Sequence, residues 1–171
     1  MMEYFSKHTI YIFLTTGLKM KKNITFKQVN TNHPLLGSII SGSIGFPTVK
    51  KVDRVLQSYT QPNQFLIGAF ASDNLIAIIG FELTGKQAII KNISVSNDFK
   101  RQGIGNCLIQ KTIKNYALNC VSLKTDDESV NFYKKVGFKC TPFDDKHGNR
   151  YYCHLEIPLP EASSIQQINM L

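Results

Sequence analysis

The chain is predicted to fold as an α/β sandwich built on a mixed sheet. Segments that alternate apolar and polar residues mark strands, and three of them follow one another through short polar turns. Two later segments, Gly103 to Leu118 and Asp127 to Val136, space their apolar residues at helical intervals instead. The resulting order is β, two helices, three β, α, β, α and two β, which layers helices on a mixed sheet.

Each element follows from local pattern. Ile24 to Val29 alternates and reads as the first strand. Asn30 to Pro34 is a turn, Leu35 to Ile44 starts a helix, and Phe46-Pro47 interrupts it. Thr48 to Tyr59 is an amphipathic helix with Val49, Val52, Val55 and Leu56 on one stripe. Phe65 to Ala71, Leu75 to Leu83 and Gln87 to Ser96 form an antiparallel meander, turned at Ser72-Asp73-Asn74 and Thr84-Gly85. In the next helix Ile104, Cys107, Leu108, Ile113 and Tyr116-Ala117 share a face. Val121 to Lys124 is a short strand. The helix Asp127 to Val136 carries Val130, Tyr133 and Val136 on one side and stops at Gly137. Phe138 to Thr141 and Arg150 to Leu159 end the fold, with Asp145 to Asn149 as the hairpin loop.

At 171 residues, 43% hydrophobic and 19% charged, the chain suits one domain with a sizeable core and excludes wholesale disorder. Residues 22–160 are read as that domain, 1–21 as an N-terminal extension and 161–171 as a tail. The apolar run Thr9 to Leu18 is too short to span a bilayer and lacks a small-x-small cleavage site. Met20, just before Lys21-Lys22, is the preferred start of translation. No membrane association is expected. Cys107, Cys120, Cys140 and Cys153 form no CxxC pair, so neither a zinc site nor a disulfide scaffold is expected; they read as thiols of a cytoplasmic protein. The net charge of +8 favours anionic partners or is a solvated basic surface. No block of five basic residues occurs, and no nucleic acid is expected as partner. Among the basic spots only Lys100-Arg101 sits in a Gly-rich turn.

That turn carries the chemistry. A strand through Ile93 and Val95 runs into Lys100-Arg101-Gln102-Gly103-Ile104-Gly105, where a helix begins. A helix N-terminus offers unpaired N–H groups and partial positive charge to a phosphate, and glycines let the chain approach it. A P-loop is excluded because Asn106-Cys107 follow Gly105. A dinucleotide fingerprint is excluded because Leu108 stands where a third glycine is needed, and Asp126 and Asp127 lie at a helix start. A pyrophosphate cradle remains.

The stretch Lys100 to Gly105 resembles the Arg/Gln-x-x-Gly-x-Gly/Ala signature of the GNAT superfamily of N-acetyltransferases. Asn131-Phe132-Tyr133-Lys134-Lys135-Val136-Gly137-Phe138 resembles the later Tyr-x-x-x-Gly-Phe motif of the same family. The resemblance covers about residues 22–159, with Lys100 in place of Arg/Gln and Asp126 in place of an Asn. It implies a twisted, mostly antiparallel sheet with helices on both faces, and transfer of an acetyl group from acetyl-CoA to a primary amine by direct attack.

By the same resemblance, the backbone of Gln102, Gly103, Ile104 and Gly105, with Lys100 and Arg101, would bind the CoA pyrophosphate. Main-chain groups of Ile93 and Val95 would pair with the pantetheine arm. Tyr133 would assist the leaving thiolate, its alternative being a plain core aromatic. Glu82, interrupting an apolar strand, is the first candidate base, with His154 and His147 behind it. The acceptor would lie between Leu35 to Tyr59 and the last hairpin; its identity is open, and a homodimer is compatible. No metal is needed, and no cysteine stands in a nucleophile arrangement. The rival readings are an inactive acyl-CoA-sensing module of the same fold and a basic nucleic-acid-binding protein.

Overall fold

The computed structural model describes residues 23–145 and 148–158. The N-terminal extension, Met20, His147 and the C-terminal tail lie outside the described residues. Seven strands form one sheet in the order β1-β2-β3-β4-β5-β7-β6. The antiparallel meander comprises β1 (Ile24–Gln28), β2 (Gln64–Ala71), β3 (Asn74–Thr84) and β4 (Gln87–Val95). Parallel to β4 runs β5 (Cys120–Asp126), and β7 (Gly148–Glu156) lies antiparallel between β5 and β6 (Lys139–Asp145). The mixed, mostly antiparallel sheet is the one the sequence predicts.

Helices cover both faces. On one side α1 (Leu36–Ser41) and α2 (Val49–Ser58) close a core of Leu36, Ile40, Leu66, Phe70 and Ile78. On the other, α3 (Ile104–Asn115) and α4 (Val130–Val136) pack on Ile67, Ile79, Phe81, Leu123 and Phe138. Leu75 to Phe81 of β3 is buried throughout, which explains its near-continuous apolar run. Among the described residues no helix is long and apolar enough to cross a membrane.

Four readings are corrected. Val49 is 77% exposed, and only Val52, Val55 and Leu56 of the α2 stripe turn to the core. Asp127 to Ser129 stay outside α4, because Asp126 Oδ1 accepts from Ser129 N at 3.0 Å and holds a turn there. In the last hairpin the strands run on to the pair Asp145 and Gly148. That register sets Cys140 directly opposite Cys153, and the two are joined as a disulfide. The reading of all four cysteines as thiols therefore holds only for Cys107 and Cys120.

The helix α3 ends with Ala117 in left-handed backbone, φ 48. Leu118 N donates to Ile113 O at 3.0 Å and Ala117 N to Lys114 O at 3.3 Å, closing the last turn. A Cβ in this conformation costs about 1–2 kcal/mol, and glycine removes the clash at the expense of a floppier unfolded chain. Ala117→Gly is expected to raise stability by about 1 kcal/mol, seen as a Tm higher by roughly 2–4 °C. An unchanged or lower melting temperature would contradict this account of the cap.

Candidate active site

The site begins with a fault in the sheet. Phe81 of β3 faces Ile90 of β4, and the preceding Gly80 faces Asn92, so Lys91 is an extra residue in β4. Such a bulge bends a strand and increases its twist. The parallel ladder to β5 runs only from Gln87 and Cys120 to Ile90 and Leu123, and stops where the extra residue stands. Beyond it the two strands part.

The orientation of the freed segment follows from one bond. Ser96 N donates to Ile76 O at 2.8 Å, so Ser96 turns its main chain to β3. In an antiparallel ladder alternate residues share that orientation. Asn92 and Ser94 therefore bond β3, while the N–H and C=O groups of Ile93 and Val95 point into the gap that β5 has left. Their side chains join the α3-side core.

After Val95 the chain makes a short 3-10 turn, Asn97–Phe99, and reaches the Gly-rich segment. Arg101 and Gly103 both have positive φ, 60 and 79. Glycine tolerates this; for Arg101 it stores strain of order 1–2 kcal/mol. Left-handed residues among ordinary ones turn neighbouring N–H groups to one side, the geometry of an anion nest. Gly103 is the N-cap of α3 and has no side chain to cap it. The first intrahelical bond is Cys107 N to Gly103 O, 3.0 Å. Among the described residues, nothing accepts from the N–H groups of Ile104, Gly105 and Asn106. Lys100, Arg101, Gln102 and Gly103 are exposed, and neither cation is in an ion pair among the described residues. The side chain of Gln102 is committed elsewhere, donating to Asp98 O at 3.0 Å.

Gly105 has a second reason, absent from the sequence reading. A Cβ there would stand 3.1 Å from Cζ of Phe132 and 3.8 Å from Cδ1 of Ile93. The missing side chain thus lets α4 close on the start of α3 and on the parted segment of β4. Phe132, 36% exposed, forms the lip of the gap.

Tyr133 lies next to that lip. Its ring packs edge-on against Phe132 at 5.0 Å and Phe138 at 5.7 Å, and the residue is 6% exposed. Gly137, φ 108, stops α4, and Phe138 N closes the turn onto Tyr133 O at 3.0 Å. The Tyr133 hydroxyl has no hydrogen-bond partner among the described residues, yet its oxygen is not sealed from solvent. Burial, and then the charge of Asp126, push the phenol well above its ordinary range.

Glu82 stands apart, on the α1–α2 side of the sheet with Gly80. Its carboxylate is 3.1 Å from Lys91 Nζ. Hydrogen bonds from Lys91 and Gln64 and the Lys91 charge hold its pKa below the usual carboxylate range, which weakens it as a base. His154 faces Ser122 and Lys139 across β7 and stacks on Tyr152 at 6.3 Å. The structure therefore gathers Ile93, Val95, Lys100 to Gly105 and Tyr133 along one path and leaves Glu82 and His154 off it. Sequence reasoning missed Phe132 as a lip residue and Asn92, a buried amide at the bulge. The shift of apolar residues from Ala88 and Ile90 to Ile93 and Val95 was the available signal for that bulge.

Among the described residues no cluster of three His, Cys, Asp or Glu could hold a metal ion. A family model for an acetyltransferase (GNAT) domain matches residues 45–154. The fold is similar to a GNAT family acetyltransferase from Elizabethkingia anophelis with acetyl-CoA bound, at 20% identity and TM-score 0.62, over 80% of this chain and 100% of that one. It is also similar to the ribosomal-protein-S18-alanine N-acetyltransferase from Escherichia coli, at 18% identity and TM-score 0.66, over 81% and 97%. A third likeness is to the PaiA N-acetyltransferase from Thermoplasma acidophilum in complex with coenzyme A, at 16% identity and TM-score 0.61, over 78% and 99%. No curated protein matches the sequence. At these identities the solved structures establish the fold, and the family match, which spans more than half of the chain, establishes that it belongs to the GNAT acetyltransferase family.

Proposed function

We propose that this chain is an acetyl-CoA-dependent N-acetyltransferase acting on a primary amine by direct transfer. The observation that carries the reading is continuity. The free main-chain groups of Ile93 and Val95 lead into an uncapped helix N-terminus flanked by Lys100 and Arg101. An extended arm ending in a diphosphate is complementary to that track, and the relatives from E. anophelis and T. acidophilum hold acetyl-CoA and coenzyme A respectively.

Residue by residue, Ile93 and Val95 hold the arm by strand-like pairing. The N–H groups of Ile104, Gly105 and Asn106 and the side chains of Lys100 and Arg101 hold the diphosphate. Acetyl-CoA, when bound, supplies an acyl group on a sulfur leaving group. Tyr133 keeps a proton at Oη for that sulfur as the C–S bond breaks and the C–N bond forms. The tyrosinate, disfavoured by burial, then recovers a proton that the new amide nitrogen must lose, so the proton count closes. Direct transfer is further supported by the cysteines. Cys140 and Cys153 are bonded to each other, burial raises the Cys107 thiol, and Cys120 pairs with Gln87 at the end of the β4–β5 ladder away from the gap.

Two measurements test the reading beyond a screen of amine acceptors for thiol release. Tyr133→Phe is expected to lower kcat by about 10²-fold, the usual scale of a lost general acid, while calorimetry finds CoA affinity unchanged. Equal turnover would remove Tyr133 from the chemistry, and lost affinity would make it a binding residue.

The pH profile has a definite sign. Both influences on Tyr133 disfavour the tyrosinate, so the donating form survives above the ordinary value of about 10. The kcat of the acetyl-transfer reaction should rise with pH as the amine loses its proton and show no falling limb through about pH 10. A falling limb below that point would show another acid at work. Duplex and single-stranded DNA should show no steeply salt-dependent binding; if they do, the basic surface has a nucleic-acid role.

A further inference from the structure

Asn92 is 8% exposed, in an interior strand where an apolar residue would be ordinary. Its Oδ1 accepts from the Tyr59 hydroxyl at 2.6 Å, and its Nδ2 donates to Ser43 Oγ at 3.0 Å. Ser43 Oγ in turn donates to Ile40 O at 2.7 Å. Tyr59 follows α2 and is itself 8% exposed. Room for its hydroxyl end exists because Gly80, the β3 partner of Asn92, lacks a Cβ; any Cβ there would collide with the Tyr59 ring and oxygen. Two residues on, Ser94 is buried against Gly42, where a Cβ would come within 2.6 Å of the Ser94 hydroxyl oxygen. The parted half of β4 is thus bound to the end of α1, the end of α2 and β3, through side chains that alternate with the free main-chain groups of Ile93 and Val95.

We infer that Asn92 is a positioning residue: through Tyr59 and Ser43 it holds the bulged half of β4 away from β5, and so keeps the Ile93 and Val95 main chain presented for the acyl-CoA arm. A bulged strand with one unpaired edge has two ways to satisfy that edge. It can close onto β5, or it can stay open for a ligand. The ladder to β3 does not discriminate, because it turns with the strand. The amide network does, because its partners belong to the helices on the far side of the sheet. An amide bonded at both ends specifies one placement, whereas an apolar side chain would tolerate several. This inference rests on the acyl-CoA reading above, and holding the groove ready is a preorganisation effect on affinity.

The test separates support of the groove from support of the fold. Asn92→Leu leaves Tyr59 and Ser43 without their partner, whereas Asn92→Leu with Tyr59→Phe and Ser43→Ala makes the whole cluster apolar. Replacing all partners together can be nearly neutral for stability. The triple variant is therefore expected to melt near the wild type but to bind CoA about tenfold more weakly by calorimetry, a clear shift on the affinity scale. KM for acetyl-CoA should rise with it while kcat at saturation changes far less. Recovery of CoA affinity together with melting temperature would overturn the inference and reduce Asn92 to a core residue. Amide hydrogen exchange supplies a readout without ligand. In the wild type the amides of Ile93 and Val95 should exchange faster than that of Ser94, and in the triple variant this contrast should shrink. An unchanged contrast overturns the inference. A wild-type chain that fails to bind CoA would sink the acetyltransferase reading, while the exchange contrast would still decide the role of Asn92.

Discussion

An extra residue in one strand sets the terms for the whole molecule. Without Lys91, β4 could lie in register with β3 and pair with β5 along its full length. With it, the parallel ladder ends at Ile90 and Leu123, and one edge of an interior strand goes without partners among the described residues. Leaving such groups unpaired costs free energy comparable to lost hydrogen bonds. The parted strands persist because both are held from elsewhere. The antiparallel ladder to β7 fixes the far end of β5 from Lys124 to Asp126. The buried amide network fixes β4. The gap is therefore a consequence of what grips the strands from outside.

The two faces of the sheet contribute differently. The α1–α2 face is polar where it meets the bulge, with Asn92, Ser94, Tyr59 and Ser43 all in contact with the parted strand or its helices. That side governs placement. The α3–α4 face is apolar up to the mouth of the gap, with Ile93, Phe132, Tyr133 and Phe138 in one packed group. Its low polarity raises the Tyr133 phenol and keeps a proton on it. Gly105 joins the two halves of this arrangement. Its missing Cβ admits the Phe132 ring, which brings α4 to the edge where α3 presents its free N–H groups.

Much of this was legible in the residues. Alternation and short turns fixed the meander, and the glycines at 103 and 105 located the helix start. The parts that were not legible depended on register. A hairpin loop read as Asp145 to Asn149 is centred half a residue from the real one, which closes on Asp145 and Gly148, and this moves the pairing register by one residue. That single step decides whether Cys140 faces His154 or Cys153, so spacing alone could not reveal the disulfide. The bulge was hidden in the same way. Ile90-Lys91-Asn92-Ile93 looks like a strand with one polar interruption, and only the change of phase after it shows that two residues share one side. Nothing in that pattern marks Asn92 as buried, although it is. Glu82 interrupted its strand as a candidate base should, but hydrogen bonds from Lys91, placed there by the bulge, and from Gln64, with the Lys91 charge, lower its pKa and weaken it as a base.

The unsatisfied groups of this region share a character. Among the described residues, Ile104, Gly105 and Asn106 present N–H donors without acceptors, Ile93 and Val95 present free N–H and C=O groups, Lys100 and Arg101 are unpaired cations, and Tyr133 has an unused hydroxyl. They are ordered in space from the start of α3, back along β4, to α4. Most of them are donors or positive charges. A ligand that relieved the whole series would carry strong negative charge at one end, amide-like groups in its middle and a hydrogen-bond acceptor near Tyr133, as the proposed acyl-CoA would. A simple phosphate would satisfy only the first, and a peptide strand only the second. The strain held at Arg101 points the same way, since left-handed backbone on a charged residue is tolerated where the fold gains by turning its N–H groups outward. This order of deficits is the one the proposed acyl donor would relieve, and it is built into the fold before any ligand is placed.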